Sequence, residues 1–394
     1  MNLSDNQEAF LALLRAGLWE GTDVLETFGT SDQGRANLNL NDNIDWDKVY
    51  LLAAEQSVLG LVLAGIEKTN TGCTEKTNRP PQGLLLQWIG EVQMIEQQNQ
   101  AMNKFVGQLI ERLRKEEIYA LLVKGQGIAQ CYEKPMWRSS GDVDLFLRDD
   151  NYERAKKVLV PLASEVETEY IYSKHLGMTI NGFVLELHGT LQCNLSPRVK
   201  RGIGDLEKDI IYGGQVRSWM NGKVQVFMPD ASNDAIYVFS HFLNHFYKEG
   251  VGLRQICDWC RLLWTYRGSL NHGLLESRIK RMGLMSEWRA FGAFAVEYLG
   301  MPSEAMPLFN ANDDLNANKK KADKICDFIL EVGNMGHNRD MSYFEKYPYI
   351  IRKACSMRRR CGDLIRHARI FPLDSLRFFP TIMFNGFRSA ARGE

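Results

Sequence analysis

The chain has 394 residues, 45% hydrophobic and 24% charged, with 48 basic and 48 acidic side chains and no formal net charge. That length and composition support a sizeable core divided between two or three domains, and exclude an intrinsically disordered chain. A zero net charge supplies no whole-molecule field for collecting a polyanion, so nucleic acid is not a favoured partner, although a local patch could still bind it.

Met1 to Trp19 carries Asp5 and Glu8 ahead of the apolar run Phe10-Leu11-Ala12-Leu13-Leu14, which Arg15 interrupts, so an amphipathic helix is expected rather than a secretory signal. No apolar stretch reaches the roughly 18 to 20 residues of a membrane span, and a cytoplasmic location is expected. Of eight cysteines, only Cys257 and Cys260 are closely spaced. Their helical neighbours Leu253, Ile256 and Leu263 make packing the expected role.

From Phe10 to about Leu113 the apolar spacing is helical, as in Val49, Leu52, Ala53, Val58, Leu61, Val62 and Ile66, with Thr69 to Gln82 as a linker. At Ile118 to Val123 a short apolar run predicts a buried strand ending at Lys124-Gly125. A short helix over Gly127 to Tyr132, a strand over Asp142 to Leu147 and a helix over Tyr152 to Leu162 follow. Two Asn-Gly dipeptides then mark hairpins with type I′ turns: Leu176–Ile180 with Phe183–His188, and Val216–Met220 with Lys223–Met228. Helical spacing returns after Pro229-Asp230. The expected division is a helical domain over 1–110, an α/β unit over 111–230 and a second helical domain over 231–394 with a basic tail.

Residues two apart on a strand share a face about 6 to 7 Å apart, so Asp142 and Asp144 project together while Val143, Leu145 and Leu147 face the core. Two neighbouring carboxylates repel unless a divalent cation joins them, and magnesium suits oxygen ligands together with substrate phosphates. Val184, Glu186 and His188 share a face by the same rule. If that strand lies beside the Asp142 strand, Glu186 becomes a third carboxylate, able to hold a second metal or take a proton from an attacking hydroxyl. Gly125 and Gly127 let the backbone approach phosphate oxygens near a helix N-terminus, and Lys124 and Arg138 are suited to neutralise them.

Lys124-Gly-x-Gly-Ile-Ala, Arg138-x-x-Gly141-Asp142-Val-Asp144-Leu-Phe-Leu and Leu185-Glu186-Leu-His188 closely resemble the uncharacterised bacterial nucleotidyltransferase family of the DNA polymerase β superfamily. The likeness continues through Pro229-Asp230, His241, His245, Leu253-Arg254 and Asp258. It implies an α+β protein with a minimal nucleotidyltransferase fold between helical domains. It further implies Mg²⁺ on Asp142 and Asp144, with Glu186 as third ligand or base, and a two-metal site. The triphosphate of ATP or another NTP would be held by Lys124, Gly125, Gln126, Arg138 and Gly141. The sequence departs from the superfamily at Gln126, where serine or glycine is usual.

The expected activity is Mg²⁺-dependent transfer of a nucleotidyl group to an unidentified acceptor hydroxyl or phosphate. The alternative is a nucleotide-binding or partner-binding protein that no longer turns over. His188 is expected as a hydrogen-bonded structural histidine near the substrate. His241 and His245, one turn apart, should pack a helix against the site with one imidazole reaching the cleft. Arg254 and Asp258, also four apart, are expected to pair on a helix surface. The arginines between Arg352 and Arg377 predict a solvated helix face, with an acidic partner as the other reading. The apolar Phe371 to Phe387 segment could meet a partner or a membrane surface.

Overall fold

A computed structural model describes residues 3–19, 44–70, 79–170, 174–193, 195–336, 338 and 348–391. Helices α1 (Asp5–Leu18), α2 (Trp46–Glu55), α3 (Leu59–Asn70) and α4 (Gln82–Lys115) precede the first strand. Residues 71–78 of the expected linker lie outside the described residues. Ser4 and Gln7 cap α1 reciprocally, each side chain meeting the other's backbone N–H. Glycines then let α1 and α3 touch backbone to backbone. A Cβ on Gly17 would lie 1.8 Å from the Leu61 carbonyl oxygen, and one on Gly65 2.0 Å from that of Leu13.

The central sheet contains β1 (Leu121–Val123), β2 (Val143–Phe146), β3 (Glu165–Val166), β4 (His175–Ile180) and β5 (Phe183–His188), in the order β1-β2-β5-β4-β3. β2 and β5 run parallel, and the other neighbours are antiparallel. Strand β1 begins three residues later than the apolar run suggests. Val143, Leu145, Leu185 and Leu187 pack with Met102, Phe105, Val106 and Leu109 of α4 in one core, joined by Tyr152, Ala155 and Leu159 of α6 (Asp150–Leu159). Alternation therefore turns Asp144 and Glu186 to the opposite face. Between β1 and β2, α5 spans only Gly125–Ala129.

Asn181 and Gly182 of the first hairpin both have positive φ, as a type I′ turn requires. The second hairpin, β6 (Val216–Asn221) with β7 (Val224–Pro229), corrects that expectation. Asn221 is the last strand residue, and the turn is Gly222-Lys223 with positive φ at Gly222 alone, the II′ pattern. Helix α7 (Pro197–Ile211) was not among the expected elements, although Val199, Ile203, Leu206 and Ile210 recur at helical spacing. A second signal is Ser196-Pro197, a serine cap with proline in the first turn.

Asp230 caps α8 (Ala231–Lys248), which is followed by α9 (Leu253–Thr265), α10 (His272–Met282), α11 (Met285–Leu299), α12 (Ala311–Val332), α13 (Tyr349–Ala368) and α14 (Pro372–Ala391). Phe239, Phe242, Phe246, Trp259, Trp288 and Phe291 form the aromatic centre of this region. The same continuous core reaches back to Phe10 and Leu14 of α1. Cys257 and Cys260 are fully buried within it. The architecture is α+β: a small mixed sheet among helices. Among the described residues, no helix is long and apolar enough to cross a membrane.

Candidate active site

Asp144 stands opposite Val123 of β1 on one side and Glu186 of β5 on the other. Asp142 precedes β2 on the same face, and carboxylate oxygens of Asp142, Asp144 and Glu186 lie within 4.8 Å of one another. The register of β2 against β5 makes this possible, because it sets two same-face acidic positions side by side. Helices α8 and α9 close over that face. The resulting open cleft of about 370 Å³ is lined by the three carboxylates, Lys124, Gly125 and Gly141, and by Tyr237, His241, His245 and Arg254 from the two helices.

Charge in the cleft is paired in a defined way. Lys124 Nζ lies 2.8 Å from Asp144 Oδ1, and His188 Nε2 lies 2.7 Å from the same oxygen. Burial would lower the Lys124 pKa, but Asp144, Tyr237 and Asp142 raise it well above the ordinary lysine range. The negative charge of Asp144, together with burial, pushes the Asp142 carboxyl up. For Glu186, burial acts upward, but His175 at 3.2 Å and His188 at 3.3 Å hold the carboxyl well below the usual range. His188 in turn is raised by Asp144 and Glu186 against the effect of burial. His241, whose Nε2 is 3.1 Å from that of His245, is kept neutral by burial, Lys124 and His245.

The turn after β1 has positive φ at two consecutive residues, 57° at Lys124 and 41° at Gly125. Such backbone is costly for lysine, and it persists where packing over-determines it. It swings the Lys124 ammonium across β2 to Asp144. Gln126 does not follow it into the cleft. Its side chain is buried against α4, donating to Asn99 Oδ1 at 2.8 Å, and Asn99 donates to the carbonyls of Met136 and Arg138. Gly127 is needed for a different contact than phosphate approach: a Cβ there would lie 2.5 Å from Met228 Sδ of β7.

Arg138 reaches the cleft wall as half of a forked ion pair with Asp258 of α9, while its Nη1 has no hydrogen-bond partner among the described residues. Tyr132 donates to the same Asp258 at 2.8 Å. This corrects the expected surface pair between Arg254 and Asp258. Asp258 is buried and Arg254 half-buried on the cleft side of α9, and Arg254 instead donates to the Ser139 carbonyl at 3.1 Å. Burial and the neighbouring Arg138 lower the Arg254 pKa. Arg254, Tyr237 and His175 are thus cleft residues that sequence reasoning had not placed there. For Arg254 the signal was its one-turn spacing from Asp258, assigned to the wrong partner.

A family model described as uncharacterised nucleotidyltransferase matches residues 42–300, which include every residue of the cleft named above. No curated protein and no solved structure matches the chain.

Proposed function

The chain belongs to the uncharacterised nucleotidyltransferase family, and from that premise we propose that it moves a nucleotidyl group from a nucleoside triphosphate to an acceptor hydroxyl or phosphate with a divalent cation. The observation that carries this reading is the pairing of Asp144 with Glu186, with Asp142 within 4.8 Å of both. The donor set fits magnesium: three carboxylates converge, and the upward-shifted Asp142 marks a repulsion that a divalent cation relieves. Bound there, Mg²⁺ would offset charge on the phosphates as pyrophosphate leaves.

The protein's own groups divide the remaining tasks. Lys124, Arg138 and Arg254 line the cleft and supply positive charge for a triphosphate. Gly125 and Gly141 leave the backbone open there, and no atom stands within 4 Å of where a Gly141 Cβ would be. Glu186, kept ionised by two imidazoles, serves as third ligand or as the base for an acceptor hydroxyl. His188 positions Asp144 and Glu186. His241 and His245 face the acceptor from α8. Gln126, the residue behind the non-catalytic alternative, keeps its side chain out of the cleft and so gives that alternative little support.

The test is incubation of the full chain with Mg²⁺, each α-labelled NTP and cell extract as the acceptor source. Label transfer with pyrophosphate release, lost in Asp142→Asn, is expected. Triphosphate binding without pyrophosphate release, or turnover unchanged in Asp142→Asn, would overturn the proposal.

A further inference from the structure

Glu186 also belongs to a second donor set, whose two imidazoles the nucleotidyl-transfer reading uses only to hold Glu186 and Asp144 in place. Its Oε2 lies 3.2 Å from His175 Nε2 and 3.3 Å from His188 Nε2, and the donor atoms of the three residues lie within 4.8 Å of one another. The register explains the convergence: His175 is directly opposite His188 in the antiparallel β4–β5 pair, and the two rings stack at 4.8 Å and 15°. Tyr170 stacks on the outer face of His175 at 5.8 Å and 13°, so its ring has few orientations open to it. All three residues line the cleft, with His175 Nε2 itself buried beside Glu186.

We propose that His175, Glu186 and His188 form a binding site for a borderline divalent transition ion such as Zn²⁺, distinct from the all-oxygen magnesium set and sharing one carboxylate with it. Two imidazoles and a carboxylate are the donors that zinc and its first-row neighbours prefer, whereas magnesium selects oxygen. The spacings suit it as well. Ligands around a tetrahedral ion with bonds of roughly 2.1 Å stand roughly 3.4 Å apart, close to the two histidine–glutamate separations. Three protein ligands leave a position open toward the cleft, where a substrate oxygen or water can enter. Asp144 Oδ1 lies 2.7 Å from the same His188 Nε2, so an ion bound there replaces that hydrogen bond and has Asp144 beside it as an adjoining carboxylate. The site does not depend on nucleotidyl transfer, because ion binding is required of the donors alone.

The test uses metal-free full chain titrated with Co²⁺, followed by its visible absorption, and with Zn²⁺ by calorimetry, for wild type, His175→Gln, Glu186→Gln and Asp142→Asn. Circular dichroism checks the folding of each. Cobalt bands of imidazole ligation are expected in wild type and in Asp142→Asn. In His175→Gln the affinity for both ions should fall by more than about 100-fold, the upper range for losing a mere supporting group, while Mg²⁺ binding stays. Binding that is unchanged in folded His175→Gln, or lost in Asp142→Asn, would overturn the site, as would the absence of any cobalt bands.

Discussion

Arg138 and Asp258, 120 positions apart in the chain, meet in a two-pronged ion pair, Nε to Oδ1 and Nη2 to Oδ2 each at 2.7 Å. The pair ties the segment entering β2 to α9, and it leaves one buried guanidinium nitrogen, Nη1, without a hydrogen-bond partner among the described residues. Both side chains are almost fully buried, so each neutralises a charge that solvent cannot reach.

Asp258→Ala should therefore lower stability by about 3–5 kcal/mol in urea denaturation, because it strands a buried guanidinium. Adding Arg138→Met should recover part of the loss. A double variant as unstable as the sum of the two singles would mean that the pair is not coupled.

Asp142→Asn separates stability from function. Neutralising Asp142 removes its repulsion with Asp144, so the metal-free variant should melt at the same temperature or higher, gaining about 1 kcal/mol or less. Added Mg²⁺ should raise the melting temperature of the wild type but not of the variant. A variant that melts lower without metal would show that Asp142 is held by attractive contacts.

Gln126→Ser tests the turn. The substitution removes the hydrogen bond to Asn99, which braces the backbone at Met136 and Arg138, and a loss of about 1–2 kcal/mol is expected with little change in NTP turnover. Turnover raised about tenfold at unchanged stability would place the side chain against the substrate instead.

Far from the cleft, Glu287 of α11 is fully buried and accepts from the Tyr247 hydroxyl at 3.2 Å. Burial and the Asp374 charge push its carboxyl up to about 8, with Arg377 and Tyr247 acting the other way. Between about 4.3, the pKa of an unfolded glutamate, and that value, the folded chain keeps a proton that the unfolded chain releases. The stability contribution is complete at the acid end and is lost as pH rises through 8, at no more than about 1.4 kcal/mol per pH unit. Burial raises Asp374 also, which acts in the same direction. Urea denaturation between pH 5 and 9 should show a decline that Glu287→Gln reduces, and parallel profiles would refute this assignment.

Much of the site was legible before any fold was known, and the reason is local. Alternation along an extended chain sets Asp142 with Asp144, and Glu186 with His188, on one face whatever surrounds them. Asn181-Gly182 likewise carries its turn in its own backbone preferences, and the family motifs from Lys124 to His188 lie within that readable stretch. The second hairpin was less secure. An Asn-Gly pair does not say which two residues will be central, and pairing of Asn221 with Val224 moved the turn one residue on.

Tertiary structure decided which of these faces would meet. Asp144 sits beside Glu186 only because β5 lies next to β2 in this register, a choice made by packing across the whole core. His175 joins the cluster through a register opposite His188, Gln126 turns away because α4 offers it Asn99, and Asp258 takes Arg138 rather than its helical neighbour Arg254. Alternation along the strands determined the face on which each acidic residue of the cluster lies. Its partner followed from sheet order and helix packing, since electrostatic and hydrogen-bond energies depend on distance in space and not on separation in sequence.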